Sequence, residues 1–357
     1  MRFAVFLACL WLCAACGCST GVPSRCTGAQ CGEANESRDG STNTDAGDAQ
    51  ASSTEPVRIA FVGDLGVKEG QATEEFNQVL ALANQEADLL VLGGDMIYSG
   101  SQPADWHRAM QQLSIPYIAA QGNHDTDAWP GFEPLIRTDI EQQASRGLAC
   151  TGATGVQQTC TFAGVTFVLS GIGTAPSVPA DDATHLSWMS SALSNASTPW
   201  KVCVWHKNQR EMQVGGKSDE VGWRAYQTCQ QAGAVIATAH EHSYGRTKTL
   251  TAIGAAPHGE SGAGNALTVG LGKTFVFHSG IGGNDIRTYN QQNWSWFASY
   301  YTSDAYRRNG VVVTSKPSAT AGIMVITFRA GALASKATGQ FKLIDGQVID
   351  DFDVTLQ

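Results

Sequence analysis

Charged side chains are scarce in this chain. Asp, Glu, Lys and Arg make up only 15% of its 357 residues, and the net charge is -9. An acidic chain lacks the overall field that draws a protein to nucleic acid or to an anionic membrane. Any phosphate-binding site must therefore bring its own positive charge. Long apolar runs are also missing. The stretch at 3–16 is too short to span a bilayer as a helix, and no later segment is longer. The part that reads as folded has no C-x-x-C spacing, which argues against a cysteine-ligated metal. No repeat of solenoid period is present.

What is present divides into three parts. Residues 1–18 read as a leader: Arg2, an apolar run, then Ala14-Ala15-Cys16, which resembles a bacterial lipoprotein cleavage site with Cys16 as the lipidated residue. The chain is thus expected to be exported, either anchored to a membrane through that lipid or secreted. Residues 19–55 are rich in Ser, Thr, Gly, Asp and Ala and read as a flexible tether, because they hold too little apolar surface to fold. Residues 56–357 read as one catalytic domain. Four cysteines fall in that domain, an even number that suits disulfides in an exported chain. Cys150 and Cys160 bracket a Thr/Gly-rich loop and are the easiest pair, with Cys203 and Cys229 as the second candidate pair.

Short apolar runs alternate with helical spacing from residue 57 onward. Val57–Val62, 88–93 and 115–119 read as strands, and 69–86 and 104–113 as the helices between them. That β-α-β-α-β order favours a parallel sheet with ligands beyond the carboxyl ends of its strands. Further on, 159–170 reads as a hairpin turning at Ala163-Gly164, 185–193 and 219–231 as helices, and Trp200–Trp205 and 234–239 as strands. Strand-like runs at Ala266–Val269, 274–278, 311–314, 323–328 and 341–344 follow among Gly-rich loops. The expected class is α/β: a sandwich of two mixed β-sheets flanked by helices.

Five polar blocks follow apolar runs: Gly63-Asp64-Leu65-Gly66, Gly94-Asp95-Met96-Ile97-Tyr98, Gly122-Asn123-His124-Asp125, Val204-Trp205-His206 and His240-Glu241-His242. Phosphoester hydrolysis needs a strong nucleophile, neutralised phosphoryl oxygens and a stabilised leaving group, and two metal ions can supply all three. Carboxylate, imidazole, amide and phenol donors on loops after strands suit such a pair.

These blocks, over about residues 57–290, resemble the purple acid phosphatase branch of the calcineurin-like metallophosphoesterases. The resemblance implies that Asp64, Asp95, Tyr98 and His242 hold the first metal. Asp95 bridges to a second, completed by Asn123, His206 and His240. Most of the superfamily has Asp-x-His in the first block; here Gly66 stands at the histidine position and Tyr98 lies three residues after Asp95, as in the purple acid phosphatases. Phenolate favours a trivalent ion, so the resemblance implies Fe(III) in the first site and Fe(II), Zn(II) or Mn(II) in the second. The implied activity is hydrolysis of phosphate monoesters on a small phosphorylated substrate, by attack of a metal-bound hydroxide. By the same resemblance, His124 is expected to face the substrate as general acid or transition-state hydrogen-bond donor, with Asp125 as the partner that orients it. A phosphodiesterase or nucleotidase on the same scaffold, and a tethered metal-binding protein without turnover, are the alternatives.

The chain departs from the pattern in places. Ala239 replaces the usual glycine before His240, Cys203 stands where Val is usual, and Tyr244-Gly245-Arg246 replaces Tyr-Glu-Arg. No histidine lies between His206 and His240. Asn208, Arg210 and Lys217 are candidates to serve phosphate in its place, with surface groups the favoured reading. His107, His185 and His258 are read as surface or structural residues, and Trp294 and Trp296, near Tyr300, Tyr301 and Tyr306, as a packed cluster.

Overall fold

The computed structural model describes residues 55–174, 178–254, 258–328 and 334–357. The leader at 1–18, and the tether at 19–55 apart from Glu55, lie outside the described residues. Two large sheets organise the rest. In the first, the order is Ala266–Val269, Val348–Leu356, Lys336–Leu343, Gly322–Phe328, Val57–Val62, Leu89–Leu92, Tyr117–Ala119. Its last three strands run parallel, as the β-α-β-α-β spacing predicts. The second sheet places Val276–Ser279, Val235–Thr238, Trp200–Trp205 and Val165–Ser170 side by side in parallel, with antiparallel strands on both flanks.

The sheets pack face to face. Phe61 of the first meets Phe277 of the second edge-on, with ring centroids 5.3 Å apart, and Ile59, Val91, Phe167, Val204 and Met324 fill the same layer. Both faces of the central strands are covered, which explains why they read as continuous apolar runs without alternation. Helices Glu74–Glu86, Pro103–Met110 and Trp129–Gln142 serve the first sheet, and Ala183–Asn195 and Trp223–Gln231 cover the outside of the second.

Several boundaries differ from the sequence reading. The expected helix at 69–86 begins only at Glu74, where the Thr73 hydroxyl accepts the Phe76 N–H at 3.2 Å. Residues before it form a small hairpin, Val67–Lys68 with Gln71–Ala72, that bends at Glu69 (φ 50°) and Gly70 (φ 76°). The expected helix at 219–231 begins at Trp223, because residues up to Gly222 serve the site as loop. Helix Trp129–Gln142 was not foreseen; Pro130 and Pro134 obscure its period, although a proline is tolerated in the first turn.

Both candidate cysteine pairs are bonded. Cys150–Cys160 joins directly opposed residues of two antiparallel strands. Cys203–Cys229 ties a central strand to helix Trp223–Gln231. Among the described residues no helix is long and apolar enough to cross a membrane.

Candidate metal centre

Every block expected to carry a ligand lies at the carboxyl end of a strand. Asp64 follows Val57–Val62, Asp95 follows Leu89–Leu92, and Asn123 follows Tyr117–Ala119. From the other sheet, Trp200–Trp205 delivers His206, and Val235–Thr238 delivers His240 and His242. Asp64 (φ 58°), Asp95 (φ 53°) and His240 (φ 67°) adopt left-handed backbone, an unfavourable conformation that persists where the surroundings enforce it. The chains also approach closely: a Cβ on Gly122 would stand 2.1 Å from the Asp95 nitrogen.

The donors are sorted atom by atom. Asp64 accepts the His240 N–H on Oδ2 at 2.7 Å and turns Oδ1 to His242 Nε2 at 3.2 Å and the Tyr98 hydroxyl at 3.2 Å. Asp95 accepts the His124 N–H on Oδ1 at 2.8 Å, leaving Oδ2 at 3.1 Å from His206 Nε2. His206 Nδ1 lies 2.8 Å from the Gly93 carbonyl, so that nitrogen carries a proton and Nε2 faces inward. His240 puts Nε2 at 2.6 Å from Glu220 and Nδ1 at 3.1 Å from His206 Nε2. His242 puts Nδ1 at 3.0 Å from Asp285 and Nε2 inward. A ring nitrogen bonded to a carboxylate or carbonyl fixes the tautomer and makes the other nitrogen a better ligand.

Two clusters result: Asp64, Tyr98 and His242 on one side, and Asp95, His206 and His240 on the other, whose ligand atoms lie within 4.8 Å of one another. Asn123 Oδ1 is buried with no hydrogen-bond partner. An orphaned amide oxygen is costly unless something bonds it, and a metal ion would do so. The donor set fits a metal pair.

Charge in the centre is concentrated. Burial opposes ionisation of Asp64 and Asp95, yet the neighbouring imidazoles outweigh it and hold both carboxyls below their usual range. Burial works against the His206 imidazolium as well, but Asp95 raises its pKa to about 9. His240 is instead lowered to about 4 by burial. Burial and the charges of Asp64 and Asp95 push the Tyr98 phenol well above its ordinary value, so a phenolate there needs a strong cation.

Gly66 is more than a missing ligand. A Cβ there would lie 2.1 Å from Thr73 Oγ1 and 2.3 Å from the Gly283 carbonyl, so a histidine has no room. Gly245 has a similar reason. His278 occupies the space that its side chain would need, with Cε1 2.2 Å from the ideal Cβ. His278 is structural: it is buried, and Nε2 meets the Ser243 hydroxyl at 3.0 Å.

Family membership follows from the sequence match. The pattern of the calcineurin-like phosphoesterases matches residues 57–244. The chain belongs to that family. Members carry a dinuclear metal site, and the donor set described here is of that kind. Among solved structures, the chain is similar to purple acid phosphatase PPD1 of yellow lupin (Lupinus luteus), at 15% identity and a TM-score of 0.57. That match covers 86% of this chain but 55% of the lupin protein, so this chain spans about half the lupin protein's length. It also matches PhoD at 8% identity and a TM-score of 0.42, over 81% of this chain and 66% of that one. At 15% identity the likeness to the lupin protein is one of fold alone. No curated protein sequence matches.

Two expectations need correction within this phosphoesterase centre. Asp125, expected to orient His124, is wholly buried and spends its carboxylate on the N–H groups of Asp95, Met96 and Gly122, at 2.9, 2.8 and 2.8 Å. It ties the Asp95 loop to the Asn123 loop. Asn208, read as a surface group, is buried, and its amide donates to the carbonyl of Ala239, next to His240. Arg210 is exposed and Lys217 half-buried. His107 pairs with Asp139, His185 with Ser170, and His258 packs against Trp223 and Trp296, all structural. Trp294 stacks on Trp296 within the aromatic cluster.

Glu220 and Asp285, the carboxylates behind His240 and His242, were missed. Both lie in irregular loops between blocks, and no spacing rule points to them.

Proposed function

We propose that this chain is an exported phosphatase that hydrolyses phosphate monoesters, with Fe(III) in the first metal site and Fe(II), Zn(II) or Mn(II) in the second. One observation carries the reading. The Tyr98 hydroxyl stands 3.2 Å from Asp64 Oδ1 and 3.4 Å from His242 Nε2, while the place of the alternative histidine is filled by Thr73 and Gly283. A phenol among those donors suits an ion of high charge. Bound metals supply Lewis acidity, which neutralises phosphoryl oxygens and makes water nucleophilic near neutral pH.

The side chains then divide the work. Asp64, Tyr98 and His242 would hold the first ion; Asn123, His206 and His240 would hold the second, with Asp95 shared between them. His124 is 51% exposed at its side chain, with Nε2 4.0 Å from Asp95 Oδ2. It can therefore touch a substrate without being a ligand. As oxygen from water adds to phosphorus and the ester P–O bond breaks, His124 protonates the departing oxygen. Asp125 keeps the Asp95 and Asn123 loops in register. The expected partner is a small phosphorylated compound. Both disulfides support an oxidising compartment and hence export.

Metal analysis with a visible spectrum tests the metals. A tyrosinate–Fe(III) band should appear and vanish in Tyr98→Phe; two zinc ions and no iron would sink the iron assignment. Monoester against diester assays on the metal-defined protein separate the phosphatase reading from a diesterase. Full activity in a His124→Ala, Asp95→Asn double variant would mean that the hydrolysis comes from a contaminant.

A further inference from the structure

Glu220 closes a ring around the second cluster. Its Oε2 lies 2.6 Å from His240 Nε2 and its Oε1 2.8 Å from Lys207 Nζ. Lys207 directly follows His206, whose Nε2 stands 3.1 Å from His240 Nδ1. The Glu220 N–H donates to the Asn208 carbonyl at 3.0 Å, and the Asn208 amide reaches back to the Ala239 carbonyl. Two ligand segments from different strands and one irregular loop are thus joined through a single carboxylate.

Among the described residues the first cluster has no equally sheltered carboxylate behind its histidine. Asp285, behind His242, is 61% exposed at its side chain against 24% for Glu220, and its cation, Arg287, is 3.6 Å away. A half-buried, ion-paired carboxylate holds an imidazole more firmly than a largely solvated one, because water competes less for it.

We propose that Glu220, clamped by Lys207, is the positioning residue of the second metal site, and that it sets how tightly this site, and not the first, keeps its ion. It acts through His240: the carboxylate accepts the Nε2–H, which leaves the Nδ1 lone pair facing the Asp95–His206 cluster, free for a metal. Lys207 has two tasks. It fixes the Glu220 rotamer, and it cancels a negative charge that would otherwise add to those of Asp64 and Asp95. The proposal rests on His206 and His240 sharing one ion of a dinuclear site, and is independent of substrate class and of iron.

The test uses the purified full chain, stripped by chelation and titrated with Zn(II) and with Co(II), followed by calorimetry and by the Co(II) visible spectrum. Glu220→Gln keeps an acceptor but loses the charge; Glu220→Ala loses both. Loss of such an outer partner is expected to weaken one of two binding steps by about 10–100-fold, more in Ala than in Gln. Glu220→Asp should recover part of it, and Lys207→Met should show a smaller loss in the same step. Asp285→Asn should alter the other step. Equal weakening of both steps by Glu220→Gln, or two unchanged steps in Glu220→Ala with an unchanged melting temperature, would overturn the proposal. An unaltered chain that binds only one equivalent of Zn(II) would remove the two-metal reading beneath it.

Discussion

Replacing Asp350 by alanine should destabilise the whole domain, although Asp350 belongs to no ligand block. Its carboxylate is fully buried and accepts four hydrogen bonds: from Arg246 Nε at 2.7 Å, Arg246 Nη2 at 3.0 Å, the Tyr244 hydroxyl at 2.6 Å and the Ser299 hydroxyl at 2.7 Å. Arg246 is also fully buried and stacks over Phe352 at 4.3 Å. Removing the anion strands a guanidinium in the interior, which costs about 3–5 kcal/mol. A domain of this size should have a urea m-value of about 3 kcal/mol/M, so the midpoint should fall by about 1–1.7 M. Urea unfolding of the metal-free, oxidised protein measures this. A double variant, Arg246→Met with Asp350→Leu, should lie closer to the parent than Asp350→Ala does, since it removes both charges. The same network predicts an acid limit. Burial raises the Asp350 pKa, but Arg246, Tyr244 and Ser299 outweigh it and hold the carboxyl below its usual range. A depressed folded pKa contributes stability that is present above the unfolded value, about 3.9, and lost as pH falls below it. A midpoint shift under about 0.3 M for Asp350→Ala, about 1 kcal/mol at that slope, would refute the reasoning.

Four further outcomes are expected. Gly66→His should not gain a ligand; its Cβ collides with Thr73 and Gly283, so stability should drop by about 1–3 kcal/mol or more with metal content unimproved. Asn123→Leu should lose the second metal yet leave the metal-free protein as stable or more so, because an unpartnered buried oxygen is removed; differential scanning of both forms reads the two effects. His206, raised to about 9 in the metal-free centre, contributes stability that is fully present below its unfolded pKa and lost as pH climbs through 9. Metal affinity should rise over that same interval as the competing proton leaves. Reducing the disulfides Cys150–Cys160 and Cys203–Cys229 should cost about 2–5 kcal/mol each where removed singly by Cys→Ser.

The expected ligand blocks were legible because they are local. A strand that ends in Gly-Asp or Gly-Asn-His announces itself by an apolar run followed by a ligand type, and six of the seven expected ligands, Asn123 apart, lie in two adjoining clusters. The parallel order of Val57–Val62, Leu89–Leu92 and Tyr117–Ala119 was legible for the same reason, since strand–helix–strand spacing admits few topologies. Helix Trp129–Gln142 and the late start of helix Glu74–Glu86 were not. There, prolines and a short hairpin interrupt the period that the reading depends on.

By itself the sequence determined the kind of site: which donors exist, in which order, and that a phenol replaces an imidazole. Tertiary structure alone decided how each donor is held. Asp125 became a clamp on two loops in place of a partner for His124, Asn208 moved from surface to interior, and Glu220 and Asp285 came to stand behind His240 and His242. Gly66 and Gly245 gained their reasons only when Thr73, Gly283 and His278 were seen to fill the space beside them. Ligand identity is written in short segments, whereas the groups that orient a ligand come from wherever the folded chain brings a carboxylate within hydrogen-bond reach. That distance is set by packing, and no spacing along the chain encodes it.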